Sequence, residues 1–242
     1  MSNITYKETF KVRASEIDFE QKATLPAICN LLQEVAGNHA RELEFDITDL
    51  QKNELTWVLH RLTVEIDRFP KWRETITIKT WPSSGDGLRA HRDFLILDRN
   101  QEVIGKSLSY WLILNIKNRR PVRIPKEIMQ MAPNDTQHVL PVTEVDFPEI
   151  ESPKYKHKYE VRKTDLDLNK HVNNVHYVDW ALATLPEETN VRKVDISFLG
   201  EAVLGDTVGA QFQEYKNDTD YTFYHQLRRP SDNNILAQAV SG

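Results

Sequence analysis

The sequence predicts an α+β protein of two similar domains, each an antiparallel sheet with one helix packed on it. In each half, apolar residues recur at helical spacing in one stretch, and alternating strand patterns follow that stretch. In addition, ten residues from Phe10 align without a gap with ten residues from Tyr159, with three identical pairs, Val12/Val161, Arg13/Arg162 and Asp18/Asp167. We interpret the chain as an internal duplication of a strand, a loop, a helix and several strands.

The first half begins with a strand pattern at residues 4–14, and a helix pattern starts at Leu25 and continues to Leu43. Thr24 is suited to the N-cap of this helix, and Pro26 to its first turn. Four strand patterns follow, at residues 57–66, 75–81, 92–98 and 102–116. Strands that meander after one helix are typical of an antiparallel sheet packed against that helix.

Residues 117–154 form a proline-rich segment between the two halves. Six of the eleven prolines lie there, and the apolar periodicity fades. Such a segment is typical of an inter-domain linker, and we expect one short helix in it near Lys126–Met131. The predicted domains are therefore residues 1–116 and 155–242.

The second half repeats the order of elements. Its helix pattern includes Val175, Val178, Leu182 and Leu185 and ends near Pro186. Strand patterns follow at residues 194–199, 206–215, 220–229 and 234–240. The repeated order of elements favours duplication over a chance match of ten residues.

Composition and charge narrow the functional classes. A chain with 40% hydrophobic and 28% charged residues is typical of a soluble globular protein, and its net charge of -5 makes nucleic acid an unfavourable partner. No apolar run approaches the roughly 18 residues of a membrane span, so we expect no membrane insertion. The N-terminal residues show no secretory signal, and the single cysteine, Cys29, excludes an internal disulfide and a multi-cysteine metal site. We expect a cytoplasmic protein without a metal or cofactor.

The stretch from Thr164 to Trp180 concentrates the residues best suited to chemistry. Asp167, Asn169 and His171 alternate along it, so in an extended segment their side chains project to one side. A carboxylate near an imidazole can fix the orientation and proton affinity of the ring. These residues therefore suit acid–base chemistry at one loop.

The helix that follows this loop supplies a second element of a site. Asn173 or Asn174 is suited to its N-cap, and the N–H groups of its first turn favour a developing oxyanion. Hydrolysis of a carbonyl substrate would use this combination. The alternative is a polar helix-entry loop in which His171 is hydrogen-bonded for structural reasons alone.

The two copies of the loop differ where chemistry is expected. Lys22 stands in the first half where His171 stands in the second. A residue required by the fold should be present in both copies, so residues unique to the second copy are the better catalytic candidates. Asp167 has the counterpart Asp18. It therefore either takes part in the chemistry or braces the loop.

Glu201 is a candidate for a second acidic group. It follows an apolar strand pattern and is the only carboxylate between Asp195 and Asp206, so we expect it at a strand end near the loop. A solvated glutamate at a strand end is the alternative. Cys29 lies on the apolar face of the first predicted helix, so we expect a core residue rather than a nucleophile.

Stretches along nearly the whole chain resemble the acyl-ACP thioesterases, including the plant plastid enzymes and their bacterial relatives. In chain order they are ETFKVRASEID, LLQEVAGNHA, LTWVLHRLTVEIDRFPKW, SYWLILNIKNRRPVRIP, DLDLNKHVNNVHYVDW and the EAVLGDTV region. The resemblance implies a tandem hotdog fold, in which two antiparallel sheets each wrap around a long helix. It also implies hydrolysis of fatty acyl-ACP to free fatty acid and holo-ACP in fatty acid biosynthesis.

The resemblance also implies the roles of individual residues. The family's catalytic Asp, Asn and His fall on Asp167, Asn169 and His171, and its later glutamate falls on Glu201. The plant enzymes carry a cysteine directly after that glutamate, where this chain has Ala202. We therefore expect attack by water, with Glu201 or His171 as the general base and with Asn169 and helix N–H groups holding the thioester carbonyl.

By the same resemblance, the first domain houses the acyl chain, and the partner is acyl carrier protein. Candidate residues of the acyl pocket, all equally suited to an ordinary core, are Leu31, Leu32, Val35, Trp57, Leu59 and Trp111. Because a carrier protein is acidic, the basic clusters within residues 117–126 and 154–163 are candidates for steering it. A solvated linker face is the alternative, and the formation of a homodimer is left open.

Three other functions stay open at this point. They are an acyl-CoA thioesterase, a hotdog dehydratase and a non-catalytic acyl-binding protein. A dehydratase would also use a histidine with a carboxylate, but it would form an enoyl product and release no thiol. The presence of both Asn169 and His171 disfavours the non-catalytic protein.

Overall fold

The computed structural model describes residues 4–132, 137–145, 147–148, 150, 154–214 and 222–242. The chain divides into two compact units, Met1–Val142 and Thr143–Gly242. Within the described residues, no helix has the length and apolar character that a membrane span needs.

The first unit is an antiparallel sheet with one long helix on it. Its strands pair in the order β1-β3-β4-β5-β2, β6 pairs with β5, and α1 lies against β1 and β3. The elements are β1 (Tyr6–Lys11), α1 (Leu25–Glu42), α2 (Ile47–Gln51), β2 (Leu55–Ile66), β3 (Thr75–Gly85), β4 (Arg89–Leu97), β5 (Val103–Asn115), β6 (Pro121–Val122) and α3 (Lys126–Met129).

The second unit repeats this plan. Its strands pair antiparallel in the order β7-β9-β10-β11-β8, and α4 lies against β9 and β10. The elements are β7 (His157–Glu160), α4 (Asn174–Leu182), β8 (Lys193–Phe198), β9 (Thr207–Glu214), β10 (Phe223–Arg229) and β11 (Asn234–Ser241). Numbered from its own first strand, each sheet has the order 1-3-4-5-2, which confirms the predicted internal duplication.

Helix α1 begins where its sequence predicts. The Thr24 hydroxyl accepts a hydrogen bond from the N–H of Ala27 at 3.3 Å, and Pro26 stands in the first turn. One face of the helix is buried, and Cys29 lies on it with no exposed surface. Burial raises the pKa of the Cys29 thiol to about 12, so this residue is a core thiol, as predicted.

Helix α4 is shorter than its apolar pattern predicts. It ends at Leu182, although the pattern continues to Leu185 and Pro186. The hydroxyl of Thr184 donates to the carbonyl of Ala181 at 2.6 Å, so a side chain satisfies one of the last carbonyls of the helix. Leu185 is nevertheless buried outside the helix, which explains why its apolar character misled the prediction.

Part of the proline-rich segment is built into the first unit. The short helix predicted near Lys126–Met131 is α3, and Ile124 and Ile128 are buried in a cluster with Leu50 and Ile113. Residues 133–136, 146, 149 and 151–153 of this segment lie outside the described residues, as do residues 215 and 220–221 of two predicted strands.

Strand β3 is longer than predicted, and its end is irregular. The predicted strand stops at Trp81, whereas β3 reaches Gly85. The pairing with β4 shifts register between Pro82 and Gly85, so Ser83 and Ser84 lie in a bulge at the end of the strand.

Candidate active site

The loop before α4 folds back on itself. The N–H of Asp167 donates to the carbonyl of His171 at 2.8 Å, and the N–H of Lys170 donates to the carbonyl of Asp167 at 3.1 Å. Lys170 adopts the left-handed conformation, with φ at 64°. The result is a tight turn that is closed by two backbone hydrogen bonds. This turn fixes the backbone position of His171.

Asp167 braces this turn through its side chain. Its Oδ1 accepts hydrogen bonds from the N–H of Asn169 at 2.8 Å and from that of His171 at 3.2 Å. In the first unit, Oδ1 of Asp18 accepts from the N–H of Lys22 at 3.0 Å in the same way. Of the two roles left open for this aspartate, the contacts support loop bracing.

Asn173 is the N-cap of α4, and Asn174 is the first residue of the helix. The side-chain oxygen of Asn173 accepts from the N–H of Val175 at 3.1 Å. The N–H of Asn173 donates to the carbonyl of Asp165 at 2.9 Å. The Val175 N–H is therefore occupied by the cap rather than available to a substrate.

His171 and Glu201 lie next to each other. Nε2 of His171 is 3.5 Å from Oε2 of Glu201, and their side chains are 25% and 37% exposed. The two side chains are therefore adjacent and open to water. A carboxylate and an imidazole in this arrangement can together take a proton from a water molecule. Asn169 is half-buried two residues before His171, and Asp167 holds its backbone.

Backbone hydrogen bonds fix the position of this pair. The N–H of Val172, directly after His171, donates to the carbonyl of Ala202, directly after Glu201, at 2.9 Å. The N–H of Ala202 donates to the hydroxyl oxygen of Tyr177 at 3.0 Å, and Tyr177 is only 2% exposed. Helix α4 therefore holds the segment that carries Glu201.

Arg229, at the end of β10, also binds the segment that carries Glu201. Its NH1 donates to the carbonyl of Glu201 and to Oδ2 of Asp206, both at 3.1 Å, and its NH2 donates to Oδ2 of Asp232 at 2.7 Å. The hydrogen bond with Arg229 lowers the pKa of Asp232. The sequence pattern did not identify either Tyr177 or Arg229. A phenol on the buried face of the helix next to the loop was the one available signal for Tyr177.

The first unit contains the same backbone frame with different side chains. The N–H of Ala23 donates to the carbonyl of Pro70 at 2.8 Å, as Val172 does to Ala202. The residues directly before these two are Lys22 and Phe69, so no imidazole–carboxylate pair is formed.

The phenol contact is also confined to the second unit. Ile28 occupies in α1 the position that Tyr177 occupies in α4, at the offset of 149 residues seen in the duplication, and it has no hydroxyl. Pro70, in turn, has no N–H to donate. Both partners of the Tyr177–Ala202 hydrogen bond are therefore absent from the first unit.

Comparison with known proteins assigns the chain to a family. The model of the acyl-ACP thioesterase N-terminal domain matches residues 3–132, and that of the C-terminal domain matches residues 149–241. The chain belongs to the acyl-ACP thioesterase family. Its duplicated halves correspond to the two domains of this family.

Similar acyl-ACP thioesterases occur in plants. The oleoyl-acyl carrier protein thioesterase of Coriandrum sativum is 35% identical over 207 residues, and oleoyl-acyl carrier protein thioesterase 1 of Arabidopsis thaliana is 28% identical over 264 residues. These matches cover 76% and 95% of the chain. The chain spans 55% of the Coriandrum protein and 73% of the Arabidopsis protein. Both relatives are described as chloroplastic.

Solved structures confirm the tandem hotdog fold of this acyl-ACP thioesterase family member. The crystal structure of an acyl-ACP thioesterase from Bacteroides thetaiotaomicron superposes with a TM-score of 0.86 at 22% identity, over 98% of this chain and 96% of that one. The 12:0-ACP thioesterase from Umbellularia californica gives the same TM-score and identity over 100% and 97% of the two chains.

The residues predicted for the acyl pocket lie on α1, β2 and β5 of the first unit. Leu31, Leu32 and Val35 are buried on α1, and Leu59 is buried on β2. The rings of Trp57 and Trp111 meet edge to face at 6.5 Å. Within the described part of the chain, no group of three or more His, Cys, Asp or Glu side chains is arranged to hold a metal ion.

Proposed function

We propose that this chain hydrolyses the thioester that joins a fatty acyl chain to the phosphopantetheine arm of acyl carrier protein. The products are free fatty acid and holo-ACP, as fatty acid biosynthesis requires. The observation that supports this proposal is the His171–Glu201 pair at 3.5 Å, present only in the second of two units with the same fold. Membership of a family whose relatives are named for this reaction supports it further.

In the proposed mechanism, water attacks the thioester carbonyl while Glu201 takes its proton. His171 holds the carboxylate of Glu201 in place, so the base and the water keep one orientation. The tetrahedral intermediate then expels the thiolate of the phosphopantetheine arm. Because a thiol has a pKa of about 8.5, this leaving group departs readily without full protonation.

Hydrogen-bond donors must stabilise the negative charge that develops on the carbonyl oxygen. We assign this role to Asn169 and to the start of α4 at Asn174, where the positive end of the helix dipole lies. Asn173 contributes by capping the helix, and Asp167 by bracing the turn that carries Asn169. Each of these residues therefore acts either on the oxyanion or on the geometry around it.

The remaining roles follow from the family's two-domain plan. We propose that residues 1–116 house the acyl chain and that residues 155–242 provide catalysis. Residues 117–154, part of which packs into the first unit, connect the two. The proposed pocket wall consists of Leu31, Leu32, Val35, Trp57, Leu59 and Trp111. The proposed setting is the cytoplasm, where acyl carrier protein would be the partner. Exposed lysines of the second basic cluster, among them Lys158 and Lys163, are the proposed docking contacts.

A thiol-reporting assay tests the proposed function. Acyl-ACP and acyl-CoA of matched chain length are supplied side by side over a series of chain lengths, and the products are separated to detect any enoyl species. We expect thiol release with a higher kcat/KM on acyl-ACP than on acyl-CoA and no enoyl product. Release from acyl-CoA alone would indicate an acyl-CoA thioesterase, and an enoyl product would indicate a dehydratase.

A further inference from the structure

Three side chains of the first unit are connected as a nucleophile, a base and a carboxylate. Oγ of Ser84 lies 2.8 Å from Nε2 of His138, and Nδ1 of the same ring lies 2.8 Å from Oδ2 of Asp93. Asp93 has no exposed surface, whereas Ser84 is exposed. The hydroxyl is therefore within reach of a ligand, and the acid behind the ring is shielded from water.

The contacts of Asp93 determine which nitrogen of His138 carries the proton. Oδ1 of Asp93 accepts a hydrogen bond from the N–H of Val139 at 2.7 Å, and Oδ2 faces Nδ1 of His138. An ionised carboxylate can only accept, so the proton of the neutral ring sits on Nδ1. Nε2 then presents its lone pair to the Ser84 hydroxyl. This is the protonation state in which a histidine acts as a general base for a serine.

His91 contacts the same hydroxyl from a second direction. Its Nδ1 lies 3.2 Å from Oγ of Ser84, and its ring packs edge to face on Tyr110 at 4.7 Å. Burial and the neighbouring His138 lower the pKa of His91 to about 4, so the ring is neutral at pH 7 and can donate one proton to the serine oxygen. The hydroxyl is thereby held toward His138.

The backbone also presents Ser84. It lies in the bulge where β3 loses register with β4, between Pro82 and Gly85. Bulges frequently aim a side chain away from the ladder next to functional sites. Asp93 lies within the regular part of β4, and the His138–Asp93 contact spans 45 residues of sequence. The arrangement therefore joins an irregular strand end, a regular strand and a distant segment.

We propose that Ser84, His138 and Asp93 form a second acyl-transfer centre that accepts small activated esters and thioesters. Oγ of Ser84 forms a bond to the acyl carbon while its proton moves to Nε2 of His138. The C–O or C–S bond of the substrate then breaks, and His138 returns the proton to the leaving group. Water repeats the sequence on the acyl-serine, so the net products are a carboxylic acid and an alcohol or thiol.

Covalent labelling of the full chain tests this centre. The protein is incubated with an alkyl fluorophosphonate, which a serine attacks with loss of fluoride, and the adduct is measured by intact mass and located by peptide mapping. We expect one adduct, on Ser84. Ser84→Ala should abolish labelling, and His138→Gln should slow it by at least about 10²-fold, the usual contribution of a positioned base.

Two matched variants show whether the labelling is specific to this centre. Ser83→Ala removes the neighbouring serine, which is buried, and should label as the unaltered chain does. His171→Ala should also label normally, because its loop belongs to the proposed thioesterase site in the second unit. Failure of acyl-ACP hydrolysis with intact labelling would therefore overturn the proposed function alone.

His138 and the N–H of Val139 also bind Asp93 and so attach their segment to β4. His138→Gln could therefore unfold the protein, and a second variant is needed. Ser84→Cys alters one exposed atom, and its thiol should react with iodoacetamide near pH 6 well above the rate of an ordinary thiol. An ordinary rate there, or an unlabelled Ser84 in the unaltered chain, would show that these hydrogen bonds only hold residues 138–139 on the sheet.

Discussion

Val172 and Ala202 are joined by a backbone hydrogen bond of 2.9 Å, and each directly follows one member of the His171–Glu201 pair. The backbone therefore keeps these two residues adjacent without relying on the attraction between their side chains. When one side chain is truncated, the other should stay where it is. Single substitutions at this pair consequently report on chemistry more than on structure.

His171→Ala and Glu201→Ala should each lower kcat for acyl-ACP by about 10²- to 10⁴-fold, because each removes part of the proposed proton-transfer apparatus. Tm should change little, since both side chains are partly exposed. Lys22→Ala, at the equivalent position of the first unit, is the matched control and should leave kcat unchanged. Near-normal turnover in both the histidine and the glutamate variants would remove this pair from the mechanism.

Asp167→Ala should destabilise the second unit by about 1–3 kcal/mol, since it leaves the N–H groups of Asn169 and His171 without their acceptor. Asp167→Asn keeps an oxygen at that position and should retain most of the activity. Asp18→Ala should show a comparable loss of stability with normal kcat. Urea unfolding and steady-state kinetics measure both properties, and an inactive but stable Asp167→Asn variant would instead point to a chemical role for the charge.

Tyr177→Phe should reduce kcat by about 10-fold or more while leaving KM within a factor of about two, because loss of the hydroxyl frees the segment that carries Glu201. The unpaired Ala202 N–H should also cost about 1–3 kcal/mol of stability. Ile28, at the equivalent position of α1, offers the control substitution Ile28→Val, which should lower stability with no change in kcat. A Tyr177→Phe variant with reduced stability and full kcat would limit the phenol to a packing role.

The buried His225 should make the folded state less stable in mild acid. Burial lowers its pKa from 6.5 to about 4. Below pH 6.5 the unfolded chain therefore binds a proton that the folded chain excludes, so stability is complete above that pH and is lost as the pH falls toward 4. The loss at pH 5 should be about 2 kcal/mol. Urea unfolding at pH 7.5 and pH 5 measures it, and His225→Gln should shrink the difference by that amount.

Charge reversal at Lys158 and Lys163 should raise KM for acyl-ACP in a salt-dependent way and spare kcat on a small soluble thioester. These lysines are exposed, whereas the neighbouring Arg162 already binds Asp165 at 3.0 Å. Arg162→Glu would therefore disturb the loop as well and is the less informative substitution. Kinetics at low and high salt test the prediction, and an equal rise of KM on the small thioester would place the effect in the active site rather than in docking.

Local sequence signals predicted the fold well, because residues at the ends of the helices and strands mark where these elements begin. Thr24 and Pro26 mark the start of α1, and the duplicated sequence anticipated the duplicated strand order. The end of α4 was mispredicted because Leu185 is apolar for a reason unrelated to helix formation. From the sequence alone, an apolar residue that is buried beyond the helix cannot be distinguished from one that continues the helix.

The site was less predictable because its geometry depends on contacts between distant segments. Comparison of the two copies singled out His171, and the position of Glu201 at a strand end was anticipated. Their approach to 3.5 Å depends on the pairing of Val172 with Ala202, which no local pattern encodes. Tyr177 was not predicted, because a tyrosine on the buried face of a helix has the sequence pattern of an ordinary core residue. Its role depends on the hydrogen bond from Ala202, which the sequence does not show.

The Ala23–Pro70 hydrogen bond of the first unit shows that the backbone pairing next to the His171–Glu201 site is repeated there with other side chains. Lys22, Phe69, Ile28 and Pro70 occupy there the positions of His171, Glu201, Tyr177 and Ala202, and Glu20 occupies that of Asn169. These five positions define the smallest graft by which an engineer could test whether the proposed thioester hydrolysis can be built on the backbone of the first unit.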